Sequence, residues 1–134
     1  SCAIVWPMKL GNDPPAQLAL TALERAVLRS LAPSLGESAG AFQAQCERAR
    51  VLMRSHSGVG FVTRLQVPDD VERLPGDDAG RARAVYAAHP QLSEPAQFLV
   101  QIKAGRLASI EAWCGEGMWP ADDAGFRVDA TRAR

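Results

Sequence analysis

The sequence is poor in the residues that most often carry chemistry. Of its 134 residues, two are histidine (His56, His89), three are cysteine (Cys2, Cys46, Cys114) and one is tyrosine. Histidines this few, with no cysteine at ligand spacing and no CxxC, leave no metal site or dithiol motif legible. An odd set of cysteines cannot pair completely, so reduced thiols in a cytoplasmic protein are the expectation. No apolar run reaches the roughly 20 residues that a membrane-spanning helix needs. The opening SCAIVWP is too short for a signal h-region and has no basic n-region. A charge excess is missing as well: 15 basic residues balance 15 acidic ones, for a net charge of +0. The chain as a whole therefore offers no electrostatic footprint for nucleic acid or for an anionic membrane. HSGVGF (residues 56–61) holds two glycines but no following Lys-Ser/Thr, and no helix follows, so it is not a phosphate loop. Nothing in the sequence asks for a cofactor.

The composition is that of one globular domain, 47% hydrophobic and 22% charged, long enough to bury its own core. NDPPAQLALTALERAVLRSLAPSLG (residues 12–36) reads as a helix. Asp13 caps it, Pro14 and Pro15 suit its first turn, and Pro33 and Gly36 stop it. Leu20, Leu23, Val27 and Leu31, extended by Ala16 and Ala19, form the apolar stripe, and Arg25 and Arg29 lie off it. A second, shorter helix is expected from Ser38 to Glu47.

From Arg50 the period changes to two, and Pro68 ends the strands. His56-Ser57-Gly58 suits a three-residue hairpin loop that sets Ser55 opposite Val59. Val51, Met53, Phe61, Thr63 and Leu65 then share one face. Lys103-Ala104-Gly105 is read likewise, with Ile102 opposite Arg106, because Ala104 resists positive φ. That register gathers Phe98, Val100, Ile102, Ala108, Ile110, Ala112 and Cys114 on one face. RARAVYAA (residues 81–88) fits either an edge strand or a helical turn. The expected fold is a single α+β domain. Two N-terminal helices, at about 14–48, pack on one face of a four- to five-stranded antiparallel sheet made of hairpins at about 49–67 and 97–114. A polar tail, 121–134, frays.

Two stretches, SGVGFVTRLQVP (57–68) and QFLVQIKAGRLASIEAWCGEGMWP (97–120), resemble a family of small uncharacterised bacterial proteins. Its motifs run TGVGF-x-T-x-F and DGR-[IL]-x-x-LEGYTYGE-x-WP. Gly58, Val59, Gly60, Phe61 and Thr63 match the first, and Gly105, Arg106, Leu107, Glu111, Trp119 and Pro120 the second. Ala104 stands for the family's Asp, Ala112 for its Gly, and Trp113-Cys114-Gly115 for its aromatic pair. The matched stretches cover roughly a third of the chain. The resemblance implies the same hairpin architecture and, by analogy, an immunity-type partner of a toxin.

The sheet face away from the helices is expected to be open and mixed. Arg50, Arg54, Arg64, Gln66, Gln101, Lys103, Ser109 and Glu111 share it with Leu52, Val62, Leu99, Leu107 and Trp113. Trp and Arg together suit protein contacts. The expected binding residues are Trp113, Glu111, Trp119, Arg54 and Arg64, and the partner is a protein or a second copy of the chain. Catalysis is not expected. A rival reading puts a small enzyme or ligand pocket around Cys114, Glu111 and His56, and requires the three to converge. Glu111 is otherwise expected to pair with a cross-strand Arg or Lys.

Overall fold

Thr21 starts the first helix. In the computed structural model, which describes residues 19–76, 80 and 82–129, the Thr21 hydroxyl accepts the Glu24 N–H at 3.0 Å. Glu24 Oε1 in turn accepts the Thr21 N–H at 2.9 Å. This reciprocal capping box satisfies donors that a helix N-terminus otherwise leaves orphaned. Helix α1 therefore runs Ala22–Leu31, and Ala19 and Leu20 precede it instead of forming its first turns. The expected cap at Asp13 and first turn at Pro14 and Pro15 lie outside the described residues, as do Cys2, Asp77, Asp78 and residues 130–134. Leu23, Val27 and Leu31 are buried as the helical stripe requires, joined by Leu28. The helix passes into a tighter 3-10 stretch, Ala32–Ser38, with Pro33 in its first turn and a kink at Gly36, where φ is 55°. Helix α2 follows as Ala39–Arg48.

Six strands make the sheet among the described residues, in the order β1-β2-β5-β4-β3-β6. They are β1 (Arg50–Ser57), β2 (Gly60–Gln66), β3 (Ala82–Ala88), β4 (Ala96–Lys103), β5 (Arg106–Trp113) and β6 (Arg127–Asp129). Every neighbouring pair is antiparallel. The fold is α+β, with two strands more than the two hairpins supply. The first, β3, settles the ambiguous stretch as a strand: Val85 and Ala87 are buried while Ala84 and Tyr86 alternate with them. The second, β6, comes from the tail expected to fray. It pairs with β3, and Phe126 just before it lies against His89, Phe98 and Trp119.

Both hairpins turn in two residues instead of three. Ser57 faces Gly60, and Lys103 faces Arg106. At the second turn Ala104 takes φ 53° and Gly105 φ 78°, the positive pair of a type I′ turn, whose twist matches that of the strands. A two-residue turn alone would flip the apolar set to the wrong face. In each hairpin a β-bulge absorbs the slip. The β4–β5 register shifts between Gln101 and Ile102, so Ala108 becomes the extra residue. Leu107 is buried in its stead, beside Phe98, Val100, Ile102, Ile110, Ala112 and Cys114. The β1–β2 register shifts between Val51 and Met53. Val51, Phe61, Thr63 and Leu65 remain on the helix side, Met53 is expelled, and Arg54 is carried inward.

The helices cover one face of this sheet. Gln45 of α2 is fully buried. Its amide donates to the carbonyls of Glu72 and Gly105, both at 2.9 Å, and its Oε1 accepts the Leu107 N–H at 2.8 Å. That ties α2 to the β4–β5 turn. No helix among the described residues is long and apolar enough to cross a membrane.

Candidate functional site

The face turned away from the helices exposes large apolar side chains: Leu52 at 57%, Met53 at 49%, Val62 at 38% and Trp113 at 54%. Cross-strand pairing orders it into rows. One runs Ser55, Val62, Glu111, Leu99, Ala84; the next runs Met53, Arg64, Ser109, Gln101, Ala82. Trp113 stands opposite Gly60 on one side and Gln97 on the other. Gly60 cannot grow there, because a Cβ would lie 1.8 Å from the Ala112 carbonyl oxygen, so β2 sets no side chain directly opposite Trp113.

Three of the expected binding residues lie on this face. Trp113 and Arg64 are exposed and Glu111 is half-buried. Glu111 has a different partner from the cation expected: Gln101 Nε2 donates to its Oε2 at 2.6 Å. Arg64, between Met53 and Ser109 in its row, keeps its charge at the surface.

Two expected residues are elsewhere. Arg54 points at the helices, because the bulge at Leu52 reverses the alternation. Its Nη2 and Nε donate to the Glu24 carboxylate at 2.7 and 3.1 Å, and Nη2 also reaches the Ala19 carbonyl at 3.2 Å. The Thr63 hydroxyl donates to the same carboxylate at 2.6 Å. Trp119 is on the helix side too. Gly115 and Gly117, at φ 74° and 89°, reverse the chain after β5, and the Trp119 N–H donates to the Gly58 carbonyl at 2.8 Å. Its ring meets Phe61 and Phe98 edge-on at 5.5 and 5.8 Å and stacks on Phe126 at 5.0 Å.

Cys114, Glu111 and His56 do not converge. Glu111 is on the open face. Cys114 is buried on the helix side, its thiol 3.9 Å from the Gly117 carbonyl. His56 pairs with Phe61 on that same side, ring to ring at 5.8 Å. No group of three or more His, Cys, Asp or Glu among the described residues is placed to hold a metal ion. The depression on the open face, between Leu52, Val62, Arg64, Gln101 and Glu111, holds about 280 Å³. That is just under the roughly 300–1,000 Å³ of small-molecule sites, so the face suits a broad contact better than an enclosed ligand.

Sequence reasoning missed the apolar centre of this face. Met53 was expected in the core, and Leu52 and Val62 were placed on the face without a role. The bulge that exposes Leu52 and Met53 together has no Gly or Pro to announce it. Comparison with protein-family models, with curated proteins and with solved structures gives no significant match.

Proposed function

We propose that the protein is a non-catalytic binding module whose open sheet face docks a protein partner. Trp113 is the anchor, Leu52, Met53 and Val62 form the apolar centre, and Arg64 and Glu111 form the charged rim. The observation that carries this reading is the exposure of those four large apolar side chains on one sheet face. Monomeric proteins seldom leave such a surface without a use. An immunity-type role toward a toxin is the kind of partnership the family resemblance suggests.

The test is capture of partners by the tagged full chain from lysate of its source organism. One stoichiometric partner is expected, and Trp113→Ala is expected to weaken its binding by about 2 kcal/mol or more, close to thirtyfold in Kd. Binding that survives the substitution would place the interface elsewhere. A second copy of the chain is the other partner this face suits. Arg64 and Glu111 sit on adjoining strands, one row apart, so a two-fold axis through the face would set each against its opposite in the partner. Light scattering that shows a monomer at high concentration would remove that version.

A further inference from the structure

Charges balance over the whole chain, but they do not balance on the open face. Along β1, β2, β4 and β5 the strand alternation puts Arg50, Arg64, Lys103 and Arg106 on that face, and Glu111 is the one acid in these four strands. Arg106 is tied to Asp69 at 3.4 Å. Arg50, Arg64 and Lys103 are exposed, and among the described residues none of the three has a carboxylate within ion-pair distance. Arg64 and Lys103 both border the depression of about 280 Å³, where Leu52 and Val62 supply the apolar wall. Glu111 borders it too, but its Oε2 is taken by the Gln101 amide at 2.6 Å, and it makes no ion pair with either cation.

Exposed apolar side chains flanked by uncompensated cations select a partner by charge as well as by shape. We infer that the open face docks an acidic segment of a different protein, an inference that rests on this face being the docking surface. The segment sets a large apolar side chain against Trp113, Leu52 and Val62, and Asp or Glu side chains against Arg64 and Lys103. The Arg64 fork can donate in a pair to one carboxylate, and Lys103 adds a point charge beside it. A second copy of the chain fits this chemistry less well. It brings one Glu111 to three unpaired cations and sets the remaining like charges against each other. Nucleic acid fits less well too, because Trp113 is the one exposed aromatic ring on the face among the described residues and single strands are held on several stacking rings.

The experiment pans short random peptides displayed on phage against the full chain, against Trp113→Ala and against the charge reversal Arg64→Glu, Lys103→Glu. The unaltered chain is expected to enrich peptides with Asp or Glu beside Leu, Phe or Trp. Trp113→Ala is expected to lose them, and the reversal to enrich Lys or Arg in their place. The milder pair Arg64→Gln, Lys103→Gln is expected to weaken an enriched acidic peptide about tenfold with an unchanged melting temperature. Peptides that need Trp113 but show no acidic preference overturn the inference and leave the docking face standing. Peptides indifferent to Trp113, or no enrichment at all, overturn both. A dimer in light scattering that Trp113→Ala disperses overturns it in favour of a second copy. An oligouridylate that shifts the amide resonances of Arg64 and Trp113 overturns it in favour of nucleic acid.

Discussion

Glu24 is fully buried, yet each oxygen of its carboxylate is met by donors: the Thr21 N–H, the Thr63 hydroxyl and two nitrogens of Arg54. Removing one member of such a pair leaves an uncompensated charge inside the protein. Arg54→Ala is therefore expected to cost about 3 kcal/mol of stability, read as a lower urea midpoint with an unchanged slope. Arg64→Ala, on the open face, is expected to stay within about 0.5 kcal/mol. Similar small effects for the two would refute the division between a structural and a surface arginine. The capping box was present in the sequence as Thr21-Ala22-Leu23-Glu24, but the expected helix start at Asp13 passed over it. The partnership with Arg54 was not legible, because it depends on the strand register and not on local pattern. A second residue-scale expectation concerns Cys46. Its thiol, raised to about 12 by burial and by the nearby Glu47 carboxylate, holds roughly a thousandfold less thiolate near neutral pH than an ordinary cysteine. Alkylation at pH 8, mapped by mass spectrometry, is expected to spare Cys46 in the native protein and to label it once the chain is unfolded. The sign for stability follows. The unfolded thiol ionises from about pH 9 while the folded one stays protonated, so stability declines with rising pH between there and about 12.

At the scale of elements, the two hairpins show what pattern reading captures and what it misses. Strand existence and the apolar face of β4 and β5 followed from alternation, because burial on one side fixes parity, except that Leu107 takes the buried place expected of Ala108. Turn length did not. Ala104 disfavours positive φ, which argued for a three-residue loop, yet the chain accepts a left-handed alanine there. Gly105 is drawn close to Arg73 and Leu74, where an added Cβ would come within 2.8 Å and 2.9 Å of their atoms. The Leu74 N–H also donates to the Gly105 carbonyl at 2.8 Å. Packing around Gly105 thus decides the turn over the preference of its neighbour. A non-glycine residue in this conformation costs on the order of 1–2 kcal/mol, and asparagine tolerates it best. Ala104→Asn is expected to raise stability by about 1 kcal/mol, visible as a higher urea midpoint. A destabilised Ala104→Asn protein would mean that the turn is not type I′. The bulges at Leu52 and Ala108 fall on the β1 and β5 strands of these hairpins. On β1, which is an edge strand, the bulge also blunts a row of unpaired backbone groups that would otherwise template a foreign strand.

For the whole molecule, the α+β class and the order of helices before hairpins were readable from period changes alone. The closing strand was not, since Arg127–Asp129 is short and polar and is held by contacts distant in sequence. Those contacts form an aromatic cluster at one end of the sheet: Phe61, Phe98, Trp119, Phe126 and His89. His89 accepts the Gln91 N–H at Nδ1 and thereby leaves Nε2 to donate to the Asp122 carbonyl at 2.9 Å, a second hold on the tail. Two tryptophans six residues apart thus lie on opposite faces, Trp113 exposed and Trp119 packed into the aromatic cluster. Trp119→Ala is expected to cost about 2–3 kcal/mol, less than a fully buried tryptophan would, because its ring is only part-buried. Hydrogen exchange is expected to speed up first across residues 114–129. Trp113→Ala is expected to leave stability within about 0.5 kcal/mol and the exchange pattern of the tail intact. If both variants lose similar stability, Trp113 is a packing residue, and the open face has no anchor with which to hold a partner.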